Sequence, residues 1–173
     1  MTDLFSLATK LVSACDAKGV RLATAESCTG GLIAAAITDV PGSSAVFDRG
    51  FVTYSNEAKA EMLAVEPDAI GEHGAVSHEV AVQMALGAIK RSHANLAVAV
   101  TGVAGPGGGT VAKPIGLVHV ALARRGDDEA LLESEARLML DGAFAEAGRE
   151  GVRQATVRAA LQALLDAVSL GAP

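Results

Sequence analysis

The stretch "NLAVAVTGVAGPGGGTVAKPIGLVHVALA", residues 95 to 123, decides the fold. Its opening, "NLAVAV", is apolar on both faces, as a strand buried in the middle of a sheet must be. "TGVAGPGGGTVAKP" comes next, and its glycines and prolines exclude regular structure. "IGLVHVALA" then reads as a second strand. No helical pattern lies between the two, so they are expected to pair antiparallel; a parallel partner needs a long crossover.

Upstream, strands and helices alternate. Residues 3 to 18 read as an amphipathic helix, with Leu4, Leu7, Leu11 and Cys15 on one face and a stop near Gly19. "VRLATA" (20 to 25) is a strand and "GGLIAAAITDV" the helix after it. "PGSS" (41 to 44) is a turn, and "FDRGFVTYS" (47 to 55) a strand. "NEAKAEMLAV" is a helix with Asn56 as its expected N-cap. Ser77 is expected to cap a further helix with Val80, Met84 and Ala88 on one face. Helices between the early strands imply parallel pairing. Downstream, a tight turn in "RRGDDE" leads to residues 130 to 140. There Glu133, Glu135 and Arg137 alternate with Ser134, Ala136 and Leu138, as in a strand with one wet face. A helix from about 145 to 169 closes the chain. The expectation is an α/β fold: a mixed sheet of about five strands between helical layers, in one domain spanning residues 1 to 173.

Composition narrows the function. Half of the 173 residues are hydrophobic but only 3% are aromatic, so the core must be built from Ala, Val, Leu and Ile. The net charge of −6, with no basic run, disfavours nucleic acid, which needs a cationic face. Cys15 and Cys28 lack metal-ligand spacing, as do His73, His78, His93 and His119, so neither a metal nor a disulfide framework is expected. No apolar run reaches the ~20 residues of a membrane span, and "MTDLFSLATK" lacks a signal-peptide pattern. A cytoplasmic location without membrane contact is expected.

Candidate chemistry gathers at four places. In "AESCTGG" a strand ending at Glu26 meets a helix starting near Cys28 or Thr29. Unpaired amides around Ser27 would favour an anion, either a phosphate or the oxyanion of acyl transfer. The other reading makes Ser27 or Thr29 a helix cap and the glycines a packing device. Cys28 is a rival nucleophile for which no base is visible. In "TYSNEAK", Lys59 stands in a first helical turn, where a cation is disfavoured. It is either a solvated residue or, in a pocket, a base of lowered pKa for a serine hydroxyl. Tyr54 orients a ligand or is a strand aromatic. Thr101 and the glycine loop open at the carboxyl end of the buried strand, where ligands collect in α/β sheets. The loop matches neither nucleotide fingerprint, and its alternative is a plain connection. Arg149 and Arg153, four apart on the last helix, form a solvated face or an anion clamp. Ser43 and Ser44 are turn residues or substrate contacts.

In combination, "AESCTGG", "DVPGSSAVFDRGFVTYSNEAK", "HGAVS", "TGVAGPGGGTVAKPIGLV" and the closing "GRxxVR" (148 to 153) resemble the CinA C-terminal domain family over nearly the whole chain. The resemblance implies a three-layer α/β/α sandwich and hydrolysis of nicotinamide mononucleotide to nicotinate mononucleotide and ammonia. It places the polar site on Ser27, Ser44, Tyr54, Lys59, Thr101 and Arg149. On this reading Ser27 attacks the carboxamide, neutral Lys59 takes its proton, and amides of Cys28, Thr29 and Gly30 hold the oxyanion. Ser44, Tyr54, Thr101, the loop glycines Gly102 and Gly105, and Arg149 position the substrate. Ser44 is the alternative nucleophile. No cofactor is expected, and a homodimer is. A second reading, from another class, is a nucleotide-binding regulatory module without catalysis, tied to competence or DNA damage. Many relatives carry an N-terminal domain that is not expected in this chain.

Overall fold

The computed structural model describes residues 4–126, 134–139 and 147–170, the middle segment by its backbone alone. The elements run α1 (Leu4–Lys18), β1 (Leu22–Glu26), α2 (Leu32–Thr38), β2 (Phe47–Val52), α3 (Asn56–Leu63), α4 (Pro67–His73), α5 (His78–Lys90), β3 (Leu96–Gly102), β4 (Leu117–Arg124), β5 (Ser134–Met139) and α6 (Gly148–Ser169). A 3-10 turn at Ser43–Ala45 precedes β2.

The five strands are ordered β2-β1-β3-β4-β5. β1 lies parallel to β2 and β3, whereas β3–β4 and β4–β5 are antiparallel. The strand pairs reflect the connections: a helix between two strands returns the chain to the same end of the sheet, and a loop alone reverses it.

The sheet's two faces carry different side chains. Leu96, Val98 and Val100 of β3, with Val118, Val120 and Leu122 of β4, pack under α1, α2 and α6. The opposite face is made of Ala23, Ala25, Ala97, Ala99, Ala121 and Ala123, and on it lies α5 through Val80, Ala81, Met84, Ala85 and Ala88. Six alanines let that helix approach closely, and Gly87 extends the approach to α3: a Cβ there would collide with the Leu63 carbonyl. α3 is therefore fixed in depth, which matters because it carries Lys59.

Some boundaries differ from the sequence reading. Ser55, not Asn56, caps α3, its Oγ accepting the Ala58 N–H at 3.0 Å. β2 stops at Val52, three residues early, because Tyr54 and Ser55 turn into that cap. α2 begins at Leu32 rather than near Cys28, since the turn before it is held by the Glu26 side chain. The short helix α4 had no clear periodic signal; Pro67 at its start is its main local cue. Ser77 caps α5 as expected. The tight turn assigned to "RRGDDE" falls partly on residues 127–129, outside those described. The wet and dry faces assigned to 130–140 concern side chains that also lie outside them.

Candidate active site

Alternation along β1 sorts the site residues. Leu22 faces the α1/α2/α6 layer, and Ala23 and Ala25 face α5. Continued one step further, Glu26 joins the first face and Ser27 the second, toward α3. The Ser27 N–H donates to the Val100 carbonyl at 3.0 Å, so the serine sits at the carboxyl edge of the two central strands.

Lys59 meets it there. Its side chain is 1% exposed, and Nζ donates to Ser27 Oγ at 3.0 Å, to the Thr53 carbonyl at 2.8 Å and to the Ser55 carbonyl at 3.5 Å. Burial pushes the Lys59 pKa below its ordinary 10.5, because a desolvated ammonium loses hydration it cannot replace. The contacts also fix where a proton goes. A neutral amine keeps two N–H bonds, and the two carbonyls accept both. The remaining lone pair then points at the Ser27 hydroxyl, the arrangement of a base on a nucleophile.

Cys28, adjacent, is buried, and burial raises its pKa to about 11. It stays a thiol near neutral pH and is no competitor for Ser27.

The residue that organises the turn is Glu26, which the sequence reading used only to end a strand. Its fully buried carboxylate accepts the Thr29 hydroxyl at 2.7 Å and the amides of Gly31, Ile33 and Ala34 at 3.0, 3.0 and 2.8 Å. The start of α2 is thus already occupied by an anion, which corrects the expectation that a ligand sits on that helix terminus. The Gly30 amide is also taken, by the Ser27 carbonyl at 3.2 Å. Two amides in the turn, those of Cys28 and Thr29, have no oxygen acceptor among the described residues, the Cys28 amide facing only its own thiol. They are the donors available to an oxyanion beside Ser27.

A cleft of about 240 Å³ opens over this pair. Ser27, Cys28, Lys59, Thr101, Gly102 and Ala104 form its floor and sides, and Tyr54, Asn56 and Arg149 its rim, with Ala75 and Val76 opposite. Arg149 donates from Nη1 to the Gly105 carbonyl at 2.8 Å and from Nη2 to Tyr54 Oη at 2.7 Å, tying three segments together at the mouth. Gly105 takes φ +78, in the left-handed region, and a side chain there would run into Ile115. The Thr101 hydroxyl donates to the Ala75 carbonyl at 2.8 Å, so it offers an incoming group an acceptor. Among the described residues, no three His, Cys, Asp or Glu side chains are placed to hold a metal ion.

Three sequence assignments change. Ser44 is exposed in the 3-10 turn before β2, at the amino end of the sheet. The length of β2 separates it from Ser27, roughly 17 Å at ~3.3 Å per residue. Within this chain it does not line the cleft, because the turn entering a strand and the turn leaving its parallel neighbour lie at opposite edges of the sheet. Thr29 spends its hydroxyl on Glu26 and offers only its amide. Gly30 does not line the cleft and has no free amide. Asn56, Ala75, Val76 and Ala104 were missed as cleft residues. The quoted motifs "TYSNEAK", "HGAVS" and "TGVAGPGGGTVAKPIGLV" contain them, but only the tertiary fold shows which members face inward.

Comparison with known proteins agrees with this architecture. The pattern of the CinA C-terminal domain matches residues 4–168. Nicotinamide-nucleotide amidohydrolase PncC of Escherichia coli is 53% identical over 125 residues, covering 71% of this chain and 76% of that protein. A putative competence-damage inducible protein of Symbiobacterium thermophilum is 61% identical over 109 residues, which are 63% of this chain but 26% of that longer protein. Among solved structures, competence/damage inducible protein CihA of Agrobacterium tumefaciens superposes with a TM-score of 0.89 at 47% identity, covering 98% of this chain and 97% of that one. A CinA superfamily protein of Klebsiella pneumoniae gives a TM-score of 0.88 at 35% identity, with 98% and 100% covered. No helix among the described residues is long and apolar enough to cross a membrane.

Proposed function

This chain belongs to the CinA C-terminal domain family, and on that premise we propose that it hydrolyses the carboxamide of nicotinamide mononucleotide, releasing ammonia and nicotinate mononucleotide. One observation carries the reading: a lysine 1% exposed, its pKa lowered by burial, in hydrogen-bond contact with a serine that lines a cleft.

The contacts dictate the chemistry. Neutral Lys59 takes the Ser27 proton as Oγ attacks the carboxamide carbon. Charge moves to the carbonyl oxygen, toward the free amides of Cys28 and Thr29. The C–N bond breaks as the Lys59 ammonium returns the proton to the departing nitrogen, so ammonia leaves and an acyl ester remains on Ser27. A water molecule then gives a proton to Lys59 and attacks the ester carbon. The bond between the acyl carbon and Oγ breaks, Oγ recovers the proton from Lys59, and the acid departs as carboxylate after giving its remaining proton to solvent. Arg149 uses two of its five N–H donors on Gly105 and Tyr54, which leaves others at the mouth for the phosphate.

Purified protein incubated with nicotinamide mononucleotide is expected to release ammonia stoichiometrically with nicotinate mononucleotide, and Ser27→Ala to release none. Tight binding without product on prolonged incubation would replace this reading with a nucleotide-binding module.

A further inference from the structure

Arg149 and Arg153 are four residues apart on α6 and share a face of the helix, yet only Arg149 reaches the cleft. Arg153 passes beneath the Ser27 turn, where its Nη2 donates to the Thr29 carbonyl at 3.0 Å. Its Nε is buried without a partner, and it makes no ion pair with a carboxylate among the described residues. This guanidinium is thus committed to the turn, and its charge is not spent on a salt bridge there.

The bond to Thr29 is the first of a series. The Thr29 carbonyl belongs to the peptide unit whose N–H is that of Gly30, and this N–H donates to the Ser27 carbonyl at 3.2 Å. The Ser27 carbonyl belongs in turn to the peptide unit whose N–H is that of Cys28, one of the two amides without an oxygen acceptor among the described residues. A carbonyl that accepts a strong bond makes the N–H of its own peptide a better donor, and bonds in series reinforce one another. A charged donor at the head of the series gives the largest effect. Across the turn, the Glu26 carboxylate accepts the Thr29 hydroxyl at 2.7 Å, so Thr29 is gripped from both sides.

We infer that Arg153 is a positioning residue for the amidase reaction, holding and polarising the Ser27–Gly30 turn so that the Cys28 amide meets the oxyanion, without itself touching substrate. The inference rests on the amidase reading above. Ser27→Ala separates the two: an active Ser27→Ala protein removes the reading, whereas an inactive one beside an undiminished Arg153→Gln removes this inference alone.

The test compares Arg153→Gln, which keeps a donor without charge, with Arg153→Lys, which keeps the charge. Arg153→Gln is expected to lower kcat by ~10- to 100-fold with KM within ~2-fold, since the lost interaction strengthens only in the transition state. Arg153→Lys should lose a smaller share. A rise in KM at constant kcat would make Arg153 a substrate clamp and overturn the inference, as would equal losses in both variants. Binding of pyridine-3-boronic acid, which forms a tetrahedral adduct on a serine oxygen, supplies a second readout. Its affinity should fall in proportion to kcat while the affinity for nicotinate mononucleotide holds; equal weakening of both overturns the inference. Should Arg153→Gln not fold, the same boronate-to-product comparison in Arg153→Lys decides, and an unchanged boronate affinity there overturns it too.

Discussion

The two ends of the sheet each hold a charged side chain withdrawn from water, and they treat it in opposite ways. At the amino end, Asp48 of β2 has a side chain 8% exposed. It accepts the His93 N–H at 3.0 Å and Arg49 Nε at 2.7 Å, with Arg21 Nη2 at 3.6 Å. Burial pushes its carboxyl up, but the His93 amide and the Arg49 guanidinium outweigh burial and hold it below its ordinary 3.8. At the carboxyl end, Lys59 has carbonyls and a hydroxyl around it and no carboxylate partner among the described residues, and burial destabilises its charge. A paired charge ties the edge strand to the α5–β3 connection. An unpaired one has its pKa lowered by burial and lies against the Ser27 hydroxyl in the cleft.

Removing the unpaired group breaks this contrast most severely. Lys59→Met is expected to lower kcat/KM by ~100- to 10,000-fold, the range for losing a positioned general base. In the unaltered protein kcat/KM should rise as pH rises through the lowered Lys59 pKa, because the neutral amine is the active form. Stability should move the same way. The unfolded chain holds the Lys59 proton up to about 10.5, while the folded chain releases it earlier, so unfolding takes up a proton between those two values. Stability rises with pH across that window. Denaturant titrations of both proteins at several pH values check this: the stability of the parent minus that of Lys59→Met must increase with pH. A flat difference would mean that Lys59 is not desolvated as the contacts require.

Carboxylates at the two ends sharpen the comparison at a smaller scale. Glu26→Gln places an amide nitrogen against the donors of Gly31, Ile33 and Ala34, so one or more buried donors lose their acceptor. A loss of ~2–4 kcal/mol in denaturant unfolding is expected. Asp48→Asn keeps an acceptor for the His93 amide and loses only attraction to arginines that are 44% and 50% exposed, for ~0.5–1 kcal/mol. The Asp48 contribution should also vanish in acid, since a depressed carboxyl pKa stabilises above 3.8 and ceases to do so as pH falls through its folded value.

How much of this was legible in the sequence depends on distance along the chain. The buried run 95 to 100, the glycine loop after it and the alternating helices specified the mixed sheet, because periodicity and connection length are local properties. The meeting of Ser27 and Lys59 was foreseen partly from a local oddity, a lysine in the first turn of a helix. Glu26 was invisible for the opposite reason. Whether a carboxylate at a strand end turns back to cap the next helix depends on which backbone amides are left over, and that is settled only when the turn closes. Ser55 took the cap from Asn56 by a one-residue margin that side-chain type does not resolve, since Ser and Asn cap about equally well.

Ser44 is the sharpest case, and its substitution should have the smallest effect of all. In sequence it belongs to a motif as dense in polar groups as the one around Ser27. In the fold, the direction of β2 sends it to the far edge, where its hydroxyl is exposed. Ser44→Ala is therefore expected to keep kcat/KM within ~2-fold of the parent, since exposed positions away from a site rarely matter. A large loss would require a second copy of the chain to bring its own Ser44 to this cleft. Mixing Ser44→Ala with Lys59→Met decides that case: each protein would supply what the other lacks, and activity would return in the mixture.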